Sequence, residues 1–271
     1  MTDFLRDNDI DYPASLAGGS SDLKEELGTD HNLPVETSRL AAMQPYFFPY
    51  LGYFQLANAV DQFVFLDDVS FIKRGWINRN RILVNGEGKY LTIPCFNPSQ
   101  NRLINEIEHR LDGKGKRKLL LTIRHAYGKA PFFTEVMTLI EQVLDTDSPY
   151  IQNLAERSVE VCARYLGIEC RFYRNSVTNG NSQLKAQERI IDICCKAGAQ
   201  VYINPAGGKK LYNKSDFRDQ GIDLRFIKPK PVEYNQFGDK HIPWLSIIDV
   251  LMFNGRRNSA DLLEAYHLEQ A

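Results

Sequence analysis

Two groups of residues in this chain have the types and spacing for chemistry. The first is Asp67-Asp68, followed within a few positions by Lys73, Arg74, Trp76, Asn78, Arg79, Asn80 and Arg81. A carboxylate can act as a general base, and guanidinium forks interleaved with amides suit phosphate or a sugar nucleotide better than an apolar ligand. The competing reading is a surface ion-pair patch in which the two aspartates neutralise the basic run. The second is His241, whose neutral imidazole is available as a base near physiological pH; its competing reading is a loop histidine beside Trp244. Asp67, Asp68 and His241 are therefore the candidate catalytic residues. Lys73, Arg74, Asn78 and Arg79 are candidate ligand contacts, joined by Gln44, Tyr46, Tyr50 and Tyr53 from an aromatic stretch upstream. No Ser–His–Asp or Cys–His order is legible, which disfavours a covalent acyl-enzyme.

These residues need elements to place them. Leu40 to Met43 is a short apolar run, Tyr53 to Val60 is helix-like, and Gln62-Phe-Val-Phe-Leu66 is a second apolar run, which together read as one βαβ unit. Between them, Pro45 and Pro49 each remove an amide donor and fix φ, so Gln44 to Tyr50 is a loop at the carboxyl end of the first strand. Gly52, at the start of the helix, admits close approach to the backbone. A helix N-terminus there is a ready anion site, because its first amides lack partners. Asp67-Asp68 ends the second strand, and ligands of open α/β sheets lie outside such strand ends.

The rest of the chain continues the pattern. Two β-rich runs flank Asn85-Gly86 and predict a hairpin over Arg81 to Pro94, joined antiparallel to the main sheet. Residues 114–166 read as a helical insertion covering the active edge, with Ser148 before Pro149 as a cap and Gly167 as a stop. Strands follow at Glu169 to Tyr173, Gln200 to Asn204 and Asp223 to Ile227. Ser182 would cap a helix over Gln183 to Lys196 between the first two. His241 to Asn254 reads as a closing helix capped by Ser246, in which Asp249 is unusual unless paired with Arg or backbone amides. The fold class is thus α/β: a mostly parallel, three-layer Rossmann-like sheet with a β-hairpin addition and a helical insertion. Residues 1–38 are acidic and Gly/Ser-containing, and read as a flexible extension; 39–258 form the α/β domain and 259–271 a tail.

Composition excludes several classes. A formal charge of −1 gives no global pull toward nucleic acid. No apolar run approaches a membrane span, and no basic-then-apolar leader opens the sequence. The five cysteines, Cys95, Cys162, Cys170, Cys194 and Cys195, have no metal-ligand spacing and an odd count. A reducing cytoplasm fits them best.

Gln44 to Phe54, Phe65-Leu-Asp-Asp68, Trp76 to Asn80, Tyr127-Gly-Lys-Ala-Pro-Phe-Phe133 and Leu245 to Leu251 resemble the WbqC-like protein family, over about Arg39 to Gly255. That resemblance implies a place in bacterial clusters for O-antigen and related surface glycans. On it rests the expectation of an acyl or aminoacyl transfer to the amine of a nucleotide-linked amino sugar, with an acyl donor or carrier as second partner. A weaker, fold-level similarity is to the first βαβ unit of HIGH-motif nucleotidyltransferases and pantothenate synthetases. Pro49-Tyr-Leu-Gly-Tyr-Phe54 occupies the place of their Pro-Phe-His-x-Gly-His loop, but Tyr50 and Tyr53 replace both histidines. It implies an ATP-dependent ligase or nucleotidyltransferase as the alternative, with ATP as the cofactor. A non-catalytic sugar-binding subunit is the third reading, since six aromatics around one loop suit sugar faces.

Overall fold

The computed structural model describes residues 37–238 and 240–271; the extension expected over 1–38 lies almost wholly outside them. In chain order the elements are β1 (Arg39–Met43), α1 (Leu51–Asn58), β2 (Gln62–Phe65), β3 (Arg79–Val84), β4 (Glu87–Thr92), α2 (Gly113–Tyr127), α3 (Phe133–Leu144) and α4 (Ile151–Leu166). There follow β5 (Arg171–Arg174), α5 (Asn175–Thr178), α6 (Ala186–Lys196), β6 (Val201–Pro205), α7 (Lys214–Arg218), β7 (Asp223–Pro229), α8 (Ile247–Asp261) and β8 (Tyr266–Gln270).

Among the described residues one six-stranded sheet runs β5-β2-β1-β6-β7-β8, parallel except for β8. Successive side chains on a strand face opposite ways, and β1 shows it. Ala41 joins Phe63, Phe65 and Ile203 in a core completed by residues of α1 and α4. Leu40 and Ala42 join Val64, Tyr202, Leu224 and Phe226 in a second core, covered by Ile190 and Ile193 of α6 and Phe217 of α7. Helices on both faces give the three layers expected.

The hairpin turns at Asn85 (φ 53°) and Gly86 (φ 77°), the two positive φ values that a two-residue hairpin turn matching strand twist requires. It does not join the main sheet, as the sequence had suggested, but forms its own two-stranded sheet. The antiparallel edge comes instead from β8, inside the segment read as a tail. Each edge strand's partner is thereby fixed: β5 covers β2 on one side and β8 covers β7 on the other.

Two caps also differ. α4 starts after Tyr150, and Ser148 Oγ accepts from the Tyr150 amide instead of a helical one. α6 starts after Lys185, preceded by the short α5. Gly167 (φ 79°) closes α4 and Ser246 caps α8, its Oγ accepting from the Ile248 amide at 3.2 Å, both as expected.

Candidate functional site

The loop after β1 is clamped from three directions, which is why its aromatic residues hold fixed positions. Asn80 of β3 donates to the carbonyls of Phe47 and Phe48 at 3.3 and 2.9 Å. Ser246 Oγ donates to the Phe48 carbonyl at 2.7 Å, and Ser158 of α4 accepts from the Phe48 amide at 2.8 Å. Phe47 and Phe48 are thereby buried in the core. Tyr46 and Tyr50 remain half-buried and line open space.

Two cavities adjoin this loop. The first, about 380 Å³, is built from segments that follow the carboxyl ends of β1 and β7; Tyr50, Lys230, Tyr234, His241 and Trp244 line it. The second, about 370 Å³, is lined by Tyr46, Tyr50, Trp76, Asn80, Arg81 and Trp244. Tyr50 and Trp244 belong to both, their rings edge to face at 5.9 Å, and so form the wall between them. Gly52 leaves room for this wall: a β-carbon there would collide with the Tyr50 ring. The close approach expected at Gly52 is made by the chain's own tyrosine.

His241 is carried on a loop fastened to α8. Asp249, fully buried, accepts from the hydroxyls of Tyr127 (2.8 Å) and Tyr234 (2.6 Å) and from Gln236 Nε2 (2.6 Å). Its partners are two phenols and an amide, where the sequence had suggested Arg or backbone amides. Burial raises the Asp249 carboxyl above the ordinary range, against the pull of these three hydrogen bonds. Gln236 also accepts from the Ile242 amide at 2.7 Å, closing the loop. Within it, His241 Nδ1 lies 3.2 Å from the Tyr234 carbonyl, and the two rings stand edge to face at 4.9 Å. A carbonyl can only accept, so Nδ1 carries the proton in the neutral ring and Nε2 presents a lone pair. Nε2 has no protein partner among the described residues.

The other candidates fall elsewhere. Asp67 is fully buried and receives the amide and hydroxyl of Ser176, the first at 3.0 Å. Asp68 forms a buried ion pair with Arg189 and accepts from Asn175 Nδ2 at 3.0 Å. Both fasten the segment after β5 to the end of β2; they line neither cavity and are not grouped with His241. The basic run is not their counter-charge either: Arg189 pairs with Asp68, and Ser176 meets Asp67. Arg79 donates to the carbonyls of Gly75 (3.2 Å) and Arg74 and lies 4.2 Å over the Tyr90 ring. Asn78 Nδ2 donates to the Ile93 carbonyl at 2.8 Å, and Lys73 and Arg74 are exposed. Tyr53 is core, its hydroxyl on the Gln44 carbonyl at 2.9 Å, and burial drives its phenol well above the usual range. None of these lines either cavity.

Of the candidates, the structure thus brings together Tyr46, Tyr50 and His241. Trp244 and Tyr234, which line the cavities, and Gln236, which holds the His241 loop, were not among the candidates, and Arg81 was read only as part of the basic run. Arg79 and Arg81 share a face of β3 by alternation, and spacing alone does not say which one meets open space. Trp244 stands three positions after His241 and has a φ of 59°, a geometry no pattern announces.

The profile of the WbqC-like protein family matches residues 44–261. The uncharacterized protein Rv1507c of Mycobacterium tuberculosis is 26% identical over 232 residues, covering 83% of this chain and 97% of that protein. No solved structure matches. No helix among the described residues is long and apolar enough to cross a membrane.

Proposed function

The chain belongs to the WbqC-like protein family, and on that premise we propose that it is an enzyme of bacterial surface-glycan biosynthesis. It transfers an acyl or aminoacyl group to the amine of a nucleotide-linked amino sugar. The observation that carries this reading is His241 on the wall of the first cavity, with Nδ1 held by the Tyr234 carbonyl and Nε2 free. The sugar amine attacks the carbonyl carbon of an activated acyl donor. The donor's leaving group departs with its bonding electrons, and the amine proton passes to Nε2. Asp249 acts through Tyr234 and Gln236 to hold the loop that carries His241. No serine, threonine or cysteine among the described residues lines this cavity, which supports direct transfer over an acyl-enzyme. A cytoplasmic site of action is part of the proposal; five free cysteines, two of them fully buried, support it.

The aromatic walls favour a second reading, sugar binding without chemistry. One assay separates the two. An amino-sugar nucleotide is incubated with thioester donors, and separately with free acids plus ATP, and products are read by mass spectrometry. Amide product from a thioester, falling about 100-fold in His241→Gln at unchanged melting temperature, is the expected result. Product only with ATP means ligation instead. Binding without product from any donor leaves the sugar-binding reading.

A further inference from the structure

Arg81 lines the second cavity with a charge that no carboxylate among the described residues answers. Its Nη2 donates to the Pro243 carbonyl at 3.0 Å. Its Nε is buried without a hydrogen-bond partner, and it forms no ion pair among the described residues. The side chain is wedged in place: a β-carbon on Gly88 would lie 3.4 Å from Arg81 Cζ and 3.3 Å from Leu245 Cδ2. A guanidinium that is fixed, partly desolvated and unpaired is costly unless something anionic completes it.

The rings around it are placed for a ligand more than for the core. Trp244 is 59% exposed and Trp76 38%, although tryptophan offers the largest apolar gain on burial. Trp244 also holds a positive φ (59°), a strained geometry for a bulky residue and one that concentrates at ligand sites. Tyr46 and Tyr50 complete the walls, and about 370 Å³ falls within the usual size of small-molecule sites, roughly 300–1,000 Å³.

We propose that the second cavity is an anion subsite: Arg81 binds a phosphate or carboxylate, while the ring that carries it stacks on Trp76 and Trp244. This deepens the proposed function and rests on it for the transfer reaction, but the binding site stands on Arg81 and four rings alone. The shared wall of Tyr50 and Trp244 then gives the geometry a purpose. A ligand anchored by its anion in the second cavity reaches past that wall into the first, where His241 meets the amine.

The chain has two tryptophans, and both line this cavity, so intrinsic emission reports on it directly. The probes are uridine diphosphate, UDP-N-acetylglucosamine and glucuronic acid, with uridine and N-acetylglucosamine as uncharged controls. Saturable quenching by a phosphate-bearing or carboxylate-bearing probe, but by neither control, is expected, and which charged probe binds identifies the source of the anion. Arg81→Gln weakens that binding about tenfold or more, and Arg81→Lys restores only part of it, since an ammonium lacks the fork. If Arg81→Gln loses its circular dichroism signal, Trp244→Ala takes its place, because that exposed side chain supports no core; weaker binding is again expected. Absence of saturable quenching by every charged probe overturns the site. So do affinities unchanged in the Arg81 and Trp244 variants, or controls that bind as well as the anions. Binding with no product in the transfer assay sinks the reaction and leaves this site intact, whereas product formation with an Arg81→Gln affinity equal to wild type sinks this site alone.

Discussion

The Tyr127 hydroxyl donates to Asp249 Oδ1 at 2.8 Å across 122 positions of sequence, and the same oxygen accepts from the Leu83 amide at 2.8 Å. One phenol thus ties α2, the hairpin and α8 together. Removing it strands a buried amide and a buried carboxylate oxygen. Tyr127→Phe is expected to lose about 1–3 kcal/mol in urea unfolding. Asp249→Ala strands three donors and is expected to lose at least as much. The double variant loses less than the sum, because the two share partners. Asp249→Ala with wild-type stability and no activity would move Asp249 from support into chemistry.

Glu156 supplies a pH dependence. It is 1% exposed, one carboxylate oxygen has no hydrogen-bond partner, and Arg174 pairs with the other. Burial outweighs that pairing and raises the carboxyl from 4.5 to about 8. An acid with a raised native pKa keeps its proton in the fold after the unfolded chain has lost it. Its contribution is therefore full below pH 4.5 and is lost as pH rises through about 8. Chemical denaturation of wild type and Glu156→Gln at pH 5 and pH 8 should show the wild type losing more than about 1 kcal/mol relative to the variant. Parallel curves for the two proteins would refute the assignment.

Two glycines separate stability from binding. Gly255 breaks α8 with φ 62°, and a β-carbon there would lie 2.5 Å from Phe132 Cε1. Gly255→Ala is expected to cost more than about 1 kcal/mol, since backbone and ring must both give. Gly52→Ala meets only the far end of the Tyr50 ring, which can turn aside. It should move the melting temperature little and change ligand affinity, because that ring is the wall between the cavities. A large stability loss in Gly52→Ala with unchanged affinity would contradict this.

Arg79 spends its fork on the Gly75 and Arg74 carbonyls and its face on Tyr90. Arg79→Ala should therefore lower stability by about 0.5–2 kcal/mol and leave nucleotide-sugar affinity within about twofold, while Arg81→Gln does the reverse. A tenfold affinity loss on removing Arg79 would return it to the site.

Local and periodic signals in the sequence determined much of this protein. Proline pairs, the Asn85-Gly86 turn, the Ser246 cap and the Gly167 stop act within a few residues, and the elements they bound are present, although the closing helix runs Ile247–Asp261 and leaves His241 on a loop. The alternation of strand and helix then left few topologies, hence a mostly parallel three-layer sheet. Tertiary structure decided the pairings that cross long stretches of chain. Asp68 finds Arg189 and not the basic run beside it, and Asp249 finds Tyr127 and Tyr234 and no arginine. Of the basic residues Lys73, Arg74, Arg79 and Arg81, it is Arg81 that faces a cavity. Charge and hydrogen-bonding capacity can be read from residue types, but a partner is chosen by which side chains the fold desolvates together, and that depends on distances the linear chain does not contain.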